Sequence, residues 1–256
     1  MLFREHLRVG DVEYPALAIS QPAHAWISGQ LLRAWAMPLE EPLLLAATLH
    51  DVGWLDWETA PSFNPRTGRP YLFRDVGAAT HAPMWEGGVE RALTAWGMRV
   101  ALLISRHGSL IYGRYVDRHR ISDADAAAVD QYLRTQEPLQ VAWTRALGIN
   151  QATVEHDSGL VAFSDTLSLA LCGELRTPLD VEAPDPAGNA QRYRLAARGD
   201  NAAEFTLAPW PFRGDALTVT CEARPMREGR FSDEAAMRTW LASPERMAFQ
   251  AQLTPG

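Results

Sequence analysis

Apolar residues recur every three or four positions through most of the first two thirds of the chain, which is the spacing of one helix face. Prolines at the predicted first turns indicate two helices, over about 22–36 and 42–51. Helical signals resume from 89 to 107, and Ser122 is typical of a helix N-cap. Another helix is predicted over about 153–174, so this part of the chain is expected to be nearly all helical.

Alternating apolar and polar residues near both ends of the chain indicate strands. Residues 1–19 alternate around Gly10-Asp11, which suits a turn between two short strands. A few antiparallel strands are predicted over 179–224, and Ser232 begins a closing helix.

These elements predict a mainly α protein. We expect a helical bundle with a small antiparallel β module formed by the C-terminal segment, to which the N-terminal strands are a candidate addition. The predicted domains are a helical domain over 1–175 and a small β-rich extension over 176–256, packed on it. Between the helices, residues 55–80 show no sustained period, and such a long irregular segment is typical of a functional loop or lid.

The charge composition is unusual because all 24 basic residues are arginine. The absence of lysine excludes a Walker A loop and a pyridoxal Schiff base, and it leaves arginine as the only cationic side chain for anions. A formal charge of −7 argues against non-specific nucleic-acid binding. No apolar run approaches the roughly 18 residues of a membrane span, and the first residues are charged where a signal peptide would be apolar, so a cytoplasmic location is predicted.

Several polar residues are predicted inside apolar helices. His24 shares a helix face with apolar residues, His50-Asp51 ends an apolar helix, His107 closes another, and Asp165 lies within a third. Buried imidazole and carboxylate groups are costly unless they are hydrogen-bonded, paired or bound to a cation. If the helices form one bundle, these side chains converge and offer ligands for zinc, iron, manganese or a similar divalent ion.

A simpler explanation remains for each of these residues alone, namely a hydrogen-bonded core or surface side chain. The second dipeptide of this kind, His156-Asp157, has polar neighbours and shows that the dipeptide by itself is a weak signal. Cys172 and Cys221 are expected to be small buried hydrophobic residues rather than zinc ligands.

The order of these residues resembles the HD superfamily of metal-dependent enzymes, which are helical bundles with a His…His-Asp…Asp core. More narrowly, the segments QPAHAWISGQLLRAW, LLLAATLHDVGWLDWE, ALLISRHGSL and FSDTLSLALC resemble an uncharacterised bacterial family, domain of unknown function 3891. The resemblance implies one or two divalent metal ions. Their implied ligands are His24, His50, Asp51 and Asp165 for the first ion, with Asp51 bridging to a second ion held by His81 and His107.

The function that this resemblance favours is a divalent-metal-dependent phosphohydrolase. His50 and Asp51 would carry the catalysis, while Arg69 and Arg106 would bind a small phosphorylated or phosphodiester substrate. Two alternatives stay open: a di-iron oxygenase of the same superfamily, and a non-catalytic scaffold stabilised by a metal. The absence of lysine favours hydrolysis, because a phosphate needs only metal and arginine. The expected partner is a small anionic molecule, and the oligomeric state is left open.

Overall fold

The computed structural model describes residues 1–9, 12–114, 116–117, 119–173, 175–199 and 203–256. The predicted turn at Gly10-Asp11 lies outside the described residues. The helices are α1 (Gln21–Arg33), α2 (Glu41–Leu49), α3 (Leu55–Thr59), α4 (Ala78–Trp96), α5 (Met98–Arg114), α6 (Asp123–Leu147), α7 (Gln151–Cys172) and α8 (Glu234–Ala242). The strands are β1 (Leu2–Val9), β2 (Val12–Ile19), β3 (Phe63–Asn64), β4 (Arg69–Pro70), β5 (Leu179–Pro184), β6 (Ala190–Ala197), β7 (Glu204–Ala208), β8 (Leu217–Met226) and β9 (Met247–Pro255).

Seven of the described strands form one curled sheet in the order β1-β2-β8-β9-β7-β6-β5. β7 and β9 are parallel, and the other neighbours are antiparallel, so the sheet is mixed. One apolar core packs between this sheet and the helices.

The prediction of a mainly α bundle with a small antiparallel module is wrong. The protein is about 51% helical, but the sheet is large and mixed, and it takes strands from both ends of the chain. One source of the error is β9, which is not among the predicted strands. In β9, buried Phe249, Ala251 and Leu253 alternate with exposed glutamines. This pattern is typical of a strand and was available in the sequence, but local alternation does not show that β9 pairs with both β8 and β7.

Helix α1 begins where the sequence predicts. The Ser20 side chain caps it by accepting a hydrogen bond from the amide of Ala23 at 3.2 Å, and Pro22 occupies its first turn. The predicted N-cap at Ser122 is also confirmed, because its hydroxyl accepts from the amide of Asp125 at 3.1 Å. Both helices therefore start at positions fixed by local chemistry.

Helices α1 and α2 approach closely because α1 carries Gly29 at their contact. A Cβ atom at Gly29 would clash with the side chain and backbone of Thr48 on α2. Helix α1 also packs on α7, and α2 and α7 both pack on α5, so these four helices surround a common interior. The site residues described below project into this interior.

The segment 55–80, predicted as an irregular loop, contains several short elements. It includes α3, the two-stranded β3–β4 pair and a 3-10 turn at Phe73–Asp75. Among the described residues, no helix has both the length and the apolar character that crossing a membrane requires.

Candidate metal centre

Five of the six predicted metal ligands lie together in one buried cluster. Helix α1 supplies His24, the end of α2 supplies His50 and Asp51, α5 supplies His107, and α7 supplies Asp165. All five are less than 9% exposed. Their nitrogen and oxygen atoms form two groups with mutual distances within 4.8 Å: His24, His50 and Asp51 form one group, and His50, His107 and Asp165 form the other.

The imidazole of His50 is held in one tautomer. Its Nδ1 lies 2.9 Å from the carbonyl oxygen of Ala47, which can only accept, so Nδ1 donates. The other nitrogen, Nε2, lies 3.2 Å from Asp165 Oδ1 and 3.7 Å from Asp51 Oδ2. It is buried and makes no well-directed hydrogen bond. In the neutral imidazole the lone pair of Nε2 therefore faces two carboxylates.

The imidazole of His24 is held in the same tautomer, by a chain of hydroxyl groups. Ser168 donates its hydroxyl to the carbonyl of Asp165 at 2.9 Å and accepts from the hydroxyl of Ser28 at 2.9 Å. The remaining bond of Ser168, at 2.9 Å to His24 Nδ1, must then be donated by the histidine. His24 Nε2 lies 2.8 Å from Asp51 Oδ2, and in this neutral tautomer it is the nitrogen free to bind a metal ion.

Several ionisable side chains lie close together in this interior and shift one another's pKa values. Burial opposes ionisation of Asp51, but the surrounding histidines outweigh it and hold the pKa of Asp51 well below its usual range. For Asp165, too, burial acts to raise the pKa, but His50 and its neighbours lower it. Burial alone would lower the pKa of His50, whereas the two carboxylates raise it to about 9. The cluster therefore has two carboxylates that favour a positive charge between them.

The donor set fits a divalent metal ion. Nitrogen and oxygen ligands lie about 2.0–2.2 Å from an ion such as zinc, so neighbouring ligand atoms are roughly 3 to 3.5 Å apart. Three distances bracket this spacing: His24 Nε2 to Asp51 Oδ2 at 2.8 Å, His50 Nε2 to Asp165 Oδ1 at 3.2 Å, and His50 Nε2 to Asp51 Oδ2 at 3.7 Å. When neutral, each of these imidazoles aims an unprotonated nitrogen at a carboxylate, an arrangement that a cation between them would stabilise. Histidines in metal sites also commonly donate their second nitrogen to a carbonyl or hydroxyl group, as both do here.

His107 and Asp165 lie on the more open side of the cluster. His107 Nε2 is 3.8 Å from Asp165 Oδ2, and its Nδ1 is buried without a hydrogen-bond partner among the described residues. Burial, together with the charge of His50, lowers the pKa of His107 to about 4. The side chain of Asp165 is 12% exposed, more than those of Asp51 and the histidines, so the cluster reaches solvent there.

His81 lies apart from both groups, in a cluster of aromatic rings. Its Nδ1 is 2.8 Å from the hydroxyl of Tyr112, and its ring is stacked on the Tyr112 ring at a centroid distance of 5.5 Å. Trp85 and Trp54 flank it at 5.1 and 6.1 Å, and each has a buried indole N–H without an acceptor among the described residues. The role of His81 as a ligand to a second ion stays a prediction, and the geometry places it with Tyr112 instead.

The two arginines predicted to bind phosphate differ in their contacts. Arg69 forms an ion pair with Glu5, donates to the carbonyl of Gly229 and lies over the ring of Phe3. Arg106, next to His107 on α5, is partly buried, and its Nε has no hydrogen-bond partner among the described residues. Substrate binding stays a prediction for both, but only Arg106 has an unpaired donor.

Sequence reasoning missed three polar residues that support the cluster. Ser28 and Ser168 fix the tautomer of His24, and Gln21 donates its side-chain amide to Asp51 Oδ2 at 3.1 Å. A usable signal was present: Gln21 and Ser28 lie three residues before and four residues after His24, and Ser168 lies three after Asp165, so each shares a helix face with a proposed ligand.

Both cysteines are buried with free thiols, as expected of cysteines that act as small hydrophobic residues. A cavity of about 730 Å³ lies between α1, α3 and β8, but none of the five cluster residues lines it. Its wall includes Glu58, whose carboxylate accepts a hydrogen bond from the backbone amide of Gln21 at 3.0 Å. This cavity is therefore separated from the cluster by the first turn of α1.

The fold and the site together define a mixed α/β protein with a buried group of histidines and carboxylates that could hold a metal ion. The family described as "Protein of unknown function (DUF3891)" matches residues 9–228. Because this match covers most of the 256 residues, the chain belongs to that family. Comparisons with curated proteins and with solved structures found no match.

Proposed function

We propose that this protein is a divalent-metal-dependent phosphohydrolase of the HD type. The observation that carries the proposal is the pair of buried imidazoles, His24 and His50, whose Nδ1 atoms donate to fixed acceptors. Their Nε2 atoms, which carry no proton when the imidazoles are neutral, face the carboxylates of Asp51 and Asp165. The chain order of these four residues is the His…His-Asp…Asp order that the HD superfamily uses to hold its ion.

The proposed ligands are His24, His50, Asp51 and Asp165. A divalent ion bound there would act as a Lewis acid and lower the pKa of a coordinated water from 15.7 towards roughly 7, which supplies hydroxide at neutral pH. The protein contributes the positions of the ligands, which the backbone of α2 and the hydroxyl of Ser168 fix.

The arrangement favours one ion rather than two. Both groups of ligand atoms include His50, and His50 has a single nitrogen available because Nδ1 is bonded to Ala47. One imidazole nitrogen binds one ion. His81, the other residue that the resemblance assigns to a second ion, is hydrogen-bonded to Tyr112. This favours hydrolysis over the di-iron alternative.

An open side favours an enzyme over a metal-stabilised scaffold. Structural metal sites are enclosed by protein ligands, whereas catalytic sites keep a position for water or substrate. The partly exposed side chain of Asp165 marks such an opening. Arg106, on the helix that carries His107, has an unpaired Nε that suits a phosphate oxygen. The proposed substrate is a small phosphate mono- or diester.

The proposal is tested with p-nitrophenyl phosphate and bis(p-nitrophenyl) phosphate as probes. The protein is stripped with chelator and reloaded with manganese, iron or zinc. We expect His50→Ala and Asp51→Ala to lose at least about 100-fold in hydrolysis, because each removes a ligand. His156→Ala, from the other His-Asp dipeptide, should keep wild-type activity. Hydrolysis that survives in either ligand variant would overturn the assignment, as would wild-type protein without activity on either probe under every metal.

A further inference from the structure

The side chain of Gln21 lies against two of the proposed metal ligands. Gln21 is the first residue of α1 and is 2% exposed. Its side-chain Nε2 donates to Asp51 Oδ2 at 3.1 Å and lies 3.4 Å from His24 Nε2. Because residues three apart stack on one helix face, the amide of Gln21 lies beside the imidazole of His24. One amide group therefore contacts two of the four proposed ligands.

The other half of this amide has no partner. Gln21 Oε1 is buried and accepts no hydrogen bond from any described residue. A buried acceptor without a hydrogen bond is destabilising, so we expect Gln21 Oε1 to meet a donor when the site is occupied. Elsewhere in the protein a buried glutamine is satisfied: Gln136 Oε1 accepts from the hydroxyl of Ser105 at 2.9 Å.

The backbone holds Gln21 in place. Its amide nitrogen donates to Glu58 Oε1 at 3.0 Å, which ties the first turn of α1 to α3. Ser20 caps the same turn. The backbone of Gln21 is therefore fixed. A side chain can orient neighbouring groups only when its own position is fixed in this way.

We propose that Gln21 is a positioning residue of the metal centre: Nε2 orients the Asp51 carboxylate, and Oε1 accepts a hydrogen bond from the attacking water. This inference rests on the proposed function, because it requires an ion at the site. It adds to the ligand set a residue that acts through Asp51 and through water.

The test uses Co²⁺ binding, which needs no substrate. Full-length protein is stripped with chelator and titrated with Co²⁺, and both the affinity and the visible absorption band of the bound ion are recorded. In Gln21→Met we expect one ion per chain, roughly 10- to 100-fold weaker binding and a shifted band, since groups that orient ligands have effects of this size. Gln136→Met, which removes another buried amide, is the matched control and should keep the wild-type affinity and band.

A second variant covers the case in which Gln21→Met does not fold. Gln21→Asn keeps the amide but shortens the side chain by one methylene, which withdraws it from Asp51, and the same loss of affinity is expected. If hydrolysis is found, both variants should lower kcat with KM nearly unchanged, because substrate contacts are kept.

The outcomes separate the two proposals. Wild-type protein that binds no Co²⁺ overturns the metal centre and this inference together. Wild-type binding with an unchanged affinity and band in the Gln21 variants overturns the role of Gln21 alone. An equal loss in Gln21→Met and Gln136→Met does so too, because it shows a general effect of removing a buried amide.

Discussion

The tautomers of two histidines decide what the buried cluster can do. His50 is fixed by a carbonyl oxygen one helical turn away, and His24 is fixed by the hydroxyl of Ser168 on a different helix. In both cases the bond directs Nε2 at a carboxylate, and Nε2 carries no proton while the imidazole is neutral. A proton on His50 would satisfy the same carboxylates, and its raised pKa, about 9, shows how strongly the cluster favours a positive charge there.

Replacing Ser168 tests the role of the hydroxyl chain. Ser168→Ala removes the acceptor for His24 Nδ1, so the imidazole is free to rotate or change tautomer. We expect metal affinity to fall roughly 10- to 100-fold, as measured by Co²⁺ titration. Ser164→Ala is the matched control, since Ser164 is an equally buried serine on α7 whose hydroxyl donates to the carbonyl of Val161. Equal affinities in the two variants would contradict the role given to Ser168.

The burial of His81 predicts a pH dependence of stability in the metal-free protein. Burial lowers the pKa of His81 to about 4 in the folded protein, below the ordinary value of 6.5. The unfolded chain then binds a proton first, so stability is lost as pH falls below 6.5 and levels off below 4. Between pH 7 and pH 5 the loss from this residue is roughly 2 kcal/mol.

Urea unfolding of metal-free protein measures this effect. Between pH 7 and pH 5, the free energy of unfolding should fall in both proteins. The fall should be roughly 2 kcal/mol larger in wild type than in His81→Gln. Parallel pH curves for the two proteins would show that His81 is not held neutral by burial.

At the scale of elements, close contacts between helices and turns set the geometry of the centre. The 3-10 turn Val52–Trp54, which follows the His50-Asp51 pair, packs directly on α4. Gly53 permits this contact, because a Cβ atom there would collide with the carbonyl of Met84. The position of Asp51 therefore depends on a glycine two residues later.

A pair of glycine substitutions tests this contact. Gly53→Ala should destabilise the protein by about 1–3 kcal/mol, since the clash is with backbone that must move. Gly87→Ala, on α4 with open space around its Cβ, should be neutral or stabilising by up to about 1 kcal/mol, because alanine is the better helix former. Thermal unfolding compares the two, and equal effects would argue against the proposed contact.

Helices can be predicted from the sequence where a capping residue or a proline marks the first turn and apolar residues recur at helical spacing. Pro22 and Ser122 mark helix starts that the structure confirms. The convergence of His24, His50, Asp51, His107 and Asp165 was expected from their places on apolar helices and from the family order, and the structure brings them together. Which way a side chain turns is not encoded by spacing, so the contacts of His81 and Arg69 could not be foreseen.

At the scale of the whole molecule, the sheet joins the two ends of the chain. Strand β2 pairs with β8, and β9 lies between β8 and β7. The pairing of β2 with β8 links segments more than 200 residues apart, and no local pattern specifies any of these pairings. For this reason the sequence predicted strands at both ends but not the single mixed sheet that they form.

Because β9 lies between β8 and β7 in the sheet, a truncation that removes it should destabilise the protein. The family match ends at residue 228, before α8 and β9. Removing 229–256 would expose an edge of β8 and of β7 and uncover the core under Phe249 and Leu253. We expect such a chain to lose cooperative thermal unfolding by circular dichroism. A fragment 1–228 that unfolds cooperatively at the wild-type temperature would contradict this assignment of β9 to the structural core.

The metal content of the purified protein tests the central claim most directly. Protein prepared without chelator is measured by elemental analysis, beside Asp51→Asn and the control His156→Ala. The predicted result is close to one divalent ion per chain in wild type and in His156→Ala, and a loss of the ion in Asp51→Asn. No ion in wild type, even after incubation with manganese, iron or zinc, would contradict the metal centre and the hydrolase built on it.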